Sequence, residues 1–104
     1  DKVFNIVCNI FETDRESITT KTERNGKRIY ASGTIIKIFN EVLNYSVEEI
    51  QKMIPKSKPV ISKHKILVSN LDYKHPQESD ALKKYIFCKH EIINFILNQD
   101  NGTN

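Results

Sequence analysis

The chain has 104 residues, of which 38% are hydrophobic and 28% charged, and its formal net charge is +3 at pH 7. These values are ordinary for one soluble globular domain and exclude a mainly disordered chain, while the length excludes an additional ATPase module. No apolar run approaches the roughly 20 residues of a membrane span, and the mild basic excess permits a polyanionic partner without requiring one.

The first segment is predicted to form a helical hairpin. Its apolar residues recur at intervals of three and four, which favours a helix over residues 2–12 rather than a strand. The run from Thr13 to Glu16 has the composition of a capping box, so a short second helix over residues 14–20, with Ile18 on its inner side, can follow at once. The apolar residues of the first helix are Val3, Ile6, Val7, Ile10 and Phe11.

Residues 21–28 form a basic segment with two possible structures. It can be a loop, or it can belong to a β-hairpin from Ser17 to Ala31, because β-branched residues precede the strong turn signal Asn25-Gly26. Arginine suits a narrow minor groove of DNA, although exposed turns also carry charge simply to stay solvated. The candidate contacts to a minor groove or to phosphate are Lys21, Arg24, Lys27 and Arg28.

A long core helix is predicted over residues 30–44. Its apolar side chains form a stripe wide enough for a central helix, although Gly33 within it costs roughly 1 kcal/mol relative to alanine. The stripe consists of Ala31, Ile35, Ile38, Phe39, Val42 and Leu43.

A helix-turn-helix is predicted over residues 46–69, and its first helix begins at Ser46. The Ser46 hydroxyl can accept a hydrogen bond from an early backbone amide, and Glu49 can cap it in return. Pro55 disfavours helical geometry at the preceding residue and removes a donor, so this helix is only about two turns long. Its apolar face consists of Val47, Ile50, Met53 and Ile54.

The second helix of this pair has the composition of a recognition helix. Ser57 is a good N-cap, and Pro59 lies in the first turn, where its missing donor costs little. The inner side is predicted to be Val60, Ile61, His64, Leu67 and Val68, with His64 a partly buried, hydrogen-bonded residue rather than a DNA contact. The outer side is predicted to be Lys58, Ser62, Lys63 and Lys65.

After a polar loop over residues 72–78, a C-terminal helix is predicted over residues 79–98, with a frayed tail over 99–104. The helix has more apolar area than the single stripe along one side needs, and the excess favours a surface for a protein partner. The predicted inner stripe is Leu82, Ile86, Ile93, Ile96 and Leu97, and the excess residues are Phe87, Ile92 and Phe95.

Over about Val3 to Ser69 the chain resembles the C-terminal DNA-binding domain of the bacterial replication initiator DnaA. The shared landmarks are Phe11 closing a first helix, Ile18 in a second, a basic loop over residues 21–28, Ala31 opening a long helix, and the run EVLNYSVEEI over residues 41–50. The resemblance implies an all-α fold with a helix-turn-helix, and it favours a loop rather than a β-hairpin for residues 21–28.

The chain departs from the pattern of this family at the turn. Gln51 and Pro55 replace two family glycines, and the family triplet Asp-His-Ser/Thr is absent. If the turn is one residue shorter, residues 57–59 (Ser-Lys-Pro) take the triplet positions and Ile61 takes a buried valine position, which is the register we prefer. An ungapped register matches His64 to a family histidine, but it places Ser62 and Lys65 at buried positions.

We therefore expect a protein that binds double-stranded DNA and acts in replication or transcription control. The alternative is an adaptor of the same fold that docks a protein partner through its C-terminal helix and binds no nucleic acid, and a homodimer is compatible with both. The expected DNA contacts are Lys56, Ser57, Lys58, Ser62, Lys63 and Lys65.

Catalytic and metal-binding functions have little support in the sequence. Cys88 and His90 do not have the spacing of a standard zinc knuckle, and residues two apart on a helix point in different directions, which disfavours a nucleophile with its base. We expect no enzyme activity, no cofactor and no metal. Because Cys8 and Cys88 are far apart and no cleavable apolar leader precedes the first element, we expect a reduced, cytoplasmic protein.

Overall fold

The computed structural model describes residues 2–20 and 26–101, and it shows an all-α fold, as predicted. None of these residues lies in a β-strand, and Arg15–Thr20 and Gly26–Glu41 are helical, so a β-hairpin from Ser17 to Ala31 is wrong. The described segments form the helices α1 (Lys2–Phe11), α2 (Arg15–Thr20), α3 (Gly26–Glu41), α4 (Val47–Met53), α5 (Lys58–Ser69) and α6 (Pro76–Asn101).

The helical hairpin of α1 and α2 is closed by a left-handed residue. Glu12 has φ of 56°, and the Thr13 amide donates to the Cys8 carbonyl at 2.9 Å, an arrangement that satisfies a carbonyl at the end of α1. The Asp14 carboxylate then accepts from the Ser17 amide at 2.7 Å and caps α2. The chain therefore reverses within three residues, and Ile18 is fully buried beneath α2, as its position in the sequence predicted.

Helix α3 is the central element, because it contacts each of the other five described helices. Four residues of its predicted stripe, Ala31, Ile35, Ile38 and Phe39, are buried, whereas Val42 and Leu43 follow the end of the helix and are partly buried. The helix also buries Ser32, Thr34 and Ile36. The helix begins at Gly26 rather than at Tyr30 and ends at Glu41. As a result, residues 27 and 28 lie in its first turns instead of in the predicted loop, whereas residues 21–25 lie outside the described ranges.

Helix α6 begins at Pro76 rather than at residue 79, because proline is tolerated in the first turn of a helix, and it continues to Asn101. Its buried stripe also differs from the prediction. Ile86 and Leu97, predicted to face inward, are 48% and 52% exposed, whereas Ile92, predicted as surplus, is buried. The residues that α6 buries are Ala81, Tyr85, Cys88 and Ile92.

The length and polarity of α6 also bear on membranes. Within residues 2–20 and 26–101, no helix combines the length and the apolar character that crossing a bilayer requires.

The contact between α3 and α5 is unusually close, and Gly33 makes it possible. A Cβ atom at Gly33 would lie 2.4 Å from the backbone oxygen of His64 and 2.5 Å from Cγ2 of Val68. Both distances are shorter than van der Waals contact allows. Gly33 thus lets the backbone of α5 rest directly on α3, which explains a glycine in the middle of a buried helix.

We predict that Gly33→Ala destabilises the protein by about 1 to 3 kcal/mol, because the added methyl group must push α5 away from α3. Chemical denaturation measures the change. The sign of the change in the free energy of unfolding distinguishes the two effects, since helix propensity alone would make the same substitution stabilising by roughly 1 kcal/mol. Ser62→Ala, at an exposed position of α5, is the matched control and should change the free energy of unfolding little.

Candidate nucleic-acid interface

The first helix of the predicted helix-turn-helix is fixed by its cap. The Ser46 hydroxyl accepts from the Glu49 amide at 3.2 Å, and the Glu49 carboxylate accepts from the Ser46 amide at 2.9 Å. These hydrogen bonds form the predicted capping box, and the one from the Ser46 amide lowers the pKa of Glu49. Helix α4 therefore begins where the sequence predicted, with Ile50 buried against the core.

The turn between α4 and α5 consists of residues 54–57. Ile54 is the C-cap of α4 with an extended backbone, as expected for a residue before proline. The side-chain amide of Gln51 donates to the Lys56 carbonyl at 3.1 Å and thereby ties the turn to α4. The Ser57 hydroxyl accepts from the Val60 amide at 3.4 Å, so Ser57 is the predicted N-cap of α5.

Helix α5 lies on the core through one face and leaves the opposite face exposed. Ile61, His64 and Val68 are buried, while Ser62 and Lys63 are exposed. The buried Ile61 and the exposed Ser62 agree with the register that has the shorter turn. In this register the chain still lacks the two family glycines and the Asp-His-Ser/Thr triplet. The resemblance to the initiator domain therefore stays a prediction.

Two predicted faces of α5 are corrected by the structure. Leu67, predicted to face inward, is 37% exposed, and Lys65, predicted to face outward, is only partly exposed. The Lys65 ammonium donates to Oδ1 of Asn40 at 2.6 Å and lies 3.7 Å from Oε2 of Glu41. These two groups on α3 hold the ammonium, so Lys65 ties α5 to α3, and its contact with DNA stays a prediction.

The other three lysines predicted to contact DNA, Lys56, Lys58 and Lys63, differ in their surroundings. The Lys58 ammonium lies 3.0 Å from a carboxylate oxygen of Glu48 at the start of α4, and both side chains are exposed. Hydrogen bonding to Lys58 lowers the pKa of Glu48. Lys63 is exposed, and the structure gives its ammonium no partner within residues 2–20 and 26–101. Lys56, in the turn, is partly buried.

The predicted minor-groove contacts are placed only in part. Arg28 is partly buried in α3, Lys27 lies beside it in the same helix, and residues 21 and 24 lie outside the described ranges. Arg15, on α2, has its guanidinium 4.1 Å from the centre of the Phe4 ring, so it covers part of the core.

A buried polar pair lies beside the contact of α3 with α5. The Ser32 hydroxyl and Nδ1 of His64 are 2.9 Å apart, and both residues are buried. Burial, together with the positive charges of Lys56 and Lys63, lowers the pKa of His64 to about 4 from its ordinary 6.5. His64 is therefore neutral in the folded protein at pH 7 and belongs to the core, as its position in the sequence predicted.

We predict that this histidine makes the stability depend on pH. The pKa of His64 is lower in the folded than in the unfolded chain, so its contribution to the free energy of unfolding is complete above the unfolded pKa of 6.5. This contribution is lost as the pH falls toward about 4, by at most about 1.4 kcal/mol per pH unit. Urea unfolding between about pH 5 and 7 measures the slope. His64→Gln should flatten it, whereas His75→Gln, at an exposed position, should not. Equal slopes in all three proteins would contradict the assignment.

The cysteines do not form a reactive or metal-binding site with the described residues. Both thiols are free, and burial raises the pKa of Cys88 to about 12 and also raises the pKa of Cys8. Among residues 2–20 and 26–101, no three histidine, cysteine, aspartate or glutamate side chains are grouped so that they could hold a metal ion.

Comparisons with protein families, with curated proteins and with solved structures gave no significant match to this chain.

Proposed function

We propose that the protein binds double-stranded DNA in the cytoplasm through the outer face of α5, and that it acts in replication or transcription control. The observation that carries the proposal is the orientation of α5, which follows α4 after a four-residue turn at 54–57 and is supported from behind by α3. Its outer face presents Ser62 and Lys63 to solvent. A free face of this kind is what a helix needs in order to enter a groove of DNA.

The size of α5 suits the major groove. A helix with its side chains is about 10 to 12 Å across, and the major groove of B-DNA is about 12 Å wide. In this arrangement Lys58 and Lys63 neutralise phosphates and Ser62 approaches base edges. The exposed Ile66, one turn beyond Ser62, supplies an apolar contact suited to a thymine methyl group.

The ends of the interface come from the turn and from α3. Lys56 and Ser57 lie directly before α5, and the Ser57 hydroxyl can still donate its hydrogen while it caps the helix. Lys21, Arg24, Lys27 and Arg28 remain the proposed contacts to the adjacent minor groove or phosphates, since arginine favours narrow grooves.

We predict that Lys63→Gln weakens binding to random duplex DNA and reduces the slope of log affinity against log salt by about 0.9, the value for one lost phosphate contact. Fluorescence anisotropy over a salt series measures both quantities. Lys74→Gln removes the same charge from an exposed residue of the loop between α5 and α6, outside the proposed contacts, and is the matched control. An unaltered slope for a folded Lys63→Gln variant would remove Lys63 from the interface.

The ion pair of Lys58 with Glu48 gives a prediction of opposite sign. Glu48→Gln frees the Lys58 ammonium and removes a negative charge beside the proposed phosphate path, so DNA affinity should rise several-fold at low salt and the gain should shrink as salt increases. Asp80→Asn is the matched control, because Asp80 is an exposed carboxylate that pairs with Lys84 at 3.1 Å on α6. Equal gains in the two variants would show a general charge effect instead.

An adaptor function without nucleic acid is the second candidate, and the exposed apolar side chains of α6 favour it. Tyr73, Ile86 and Phe87 are all exposed on or beside this helix. If the adaptor function is correct, variants of α5 leave partner binding unchanged and duplex DNA shows no salt-dependent binding.

A further inference from the structure

The outer face of α6 carries an open groove of about 380 Å³ next to the loop that precedes the helix. Phe87 is 52% exposed and Tyr73 is 57% exposed, and both rings line the groove together with Ile86. Three large apolar side chains grouped at one exposed place are unlike the scattered single residues that are normal on a surface. Tyr73, Ile86 and Phe87 together form the α6 patch.

The charges around the α6 patch are arranged about its centre. Lys83 lies four residues before Phe87, and Glu91 lies four residues after it, so each is about one helical turn from the ring. Both charged residues are exposed. The structure gives neither of them an ion-pair partner within residues 2–20 and 26–101. A cation and an anion therefore stand at equal distances on the two sides of an apolar centre.

We propose that the α6 patch binds a second copy of this chain, with the two α6 helices antiparallel about a two-fold axis at Phe87. A two-fold axis brings the same patch of each copy together and pairs residue i of one copy with residue j of the other. With the axis at Phe87, Lys83 of each copy faces Glu91 of the other. The contact therefore has two apolar groups at its centre and an ion pair on each side.

The opposite signs of the two charges distinguish a second copy from other occupants. A groove for an acidic peptide would be expected to carry cations on both sides, whereas Glu91 would repel such a peptide. A self-complementary surface needs one charge of each sign, as found here. His90 and Asn94, whose side chains are 3.1 Å apart, give the same face a polar edge, which suits the rim of an interface.

Helix α6 is also long enough for this pairing. Its 26 residues span about 39 Å, which is most of the 45 Å longest dimension of the molecule. A second copy can therefore lie along several turns of the helix on either side of Phe87. The patch lies on a different helix from the proposed DNA contacts, so this proposal does not depend on the DNA-binding function.

Sedimentation equilibrium of the full chain tests the proposal. The wild-type protein should be a reversible dimer. Lys83→Glu and Glu91→Lys should each weaken the dimer, because each places like charges opposite each other. An equimolar mixture of the two variants should form a heterodimer, since glutamates at both positions of one chain then face lysines at both positions of the other. Recovery in the mixture is a result that neither misfolding nor a general loss of charge produces.

Phe87→Ser tests the centre of the interface independently. It should raise the dissociation constant of the dimer about tenfold or more if the ring is at that centre. Ile66→Ser removes a similarly exposed apolar side chain from α5 and should leave the dimer unchanged. A wild-type chain that stays monomeric up to its solubility limit would overturn the proposal. A dimer that is indifferent to Phe87, or single variants that do not recover on mixing, would also overturn it.

Discussion

The backbone contact at Gly33 is the constraint on which the arrangement of this protein depends. With no Cβ at this position, the carbonyl of His64 and the side chain of Val68 come directly onto α3. The adjacent hydrogen bond of Ser32 with His64 then fixes the rotation of α5 about its own axis. Because this rotation is fixed, the same helix that buries Ile61 must expose Ser62 and Lys63, and the proposed interface follows from a packing requirement on its opposite side.

Several lysines of this protein lie close to a carboxylate, so the net charge overstates how much positive charge is free at the surface. Glu41 lies among Lys37, Lys65 and Lys89, and although burial raises its pKa, the hydrogen bond and charge of Lys37 and the charges of the other two lysines lower it. These lysines are thus partly neutralised by the fold. The net charge of the chain therefore does not show which cations are free to meet an anion, whereas the exposure of Lys63 does.

Much of the fold could be predicted from the sequence where the signals are local. Ser46 and Ser57 cap α4 and α5 through residues three positions away, and Pro55 separates the helices by its own geometry, so no distant information was needed. The faces of α5 and α6 were harder to predict, because apolar residues occur on more than one side of each helix and packing decides which side is buried. The spacing of isoleucine and leucine predicted that Ile86 is in the core. The structure buries Tyr85 instead, and tyrosine was not included in the apolar pattern.

The position of α3 among all the other described helices has a consequence for motion within the folded state. Opening α3 requires the surrounding helices to separate, so its interior amides should exchange with solvent only through global unfolding. Helix α2 has six residues and can detach by breaking far fewer contacts. Slow exchange in α3 and fast exchange in α2 would therefore coexist in one small domain, and the rate measured at Ile35 or Ile36 would report the stability of the whole molecule.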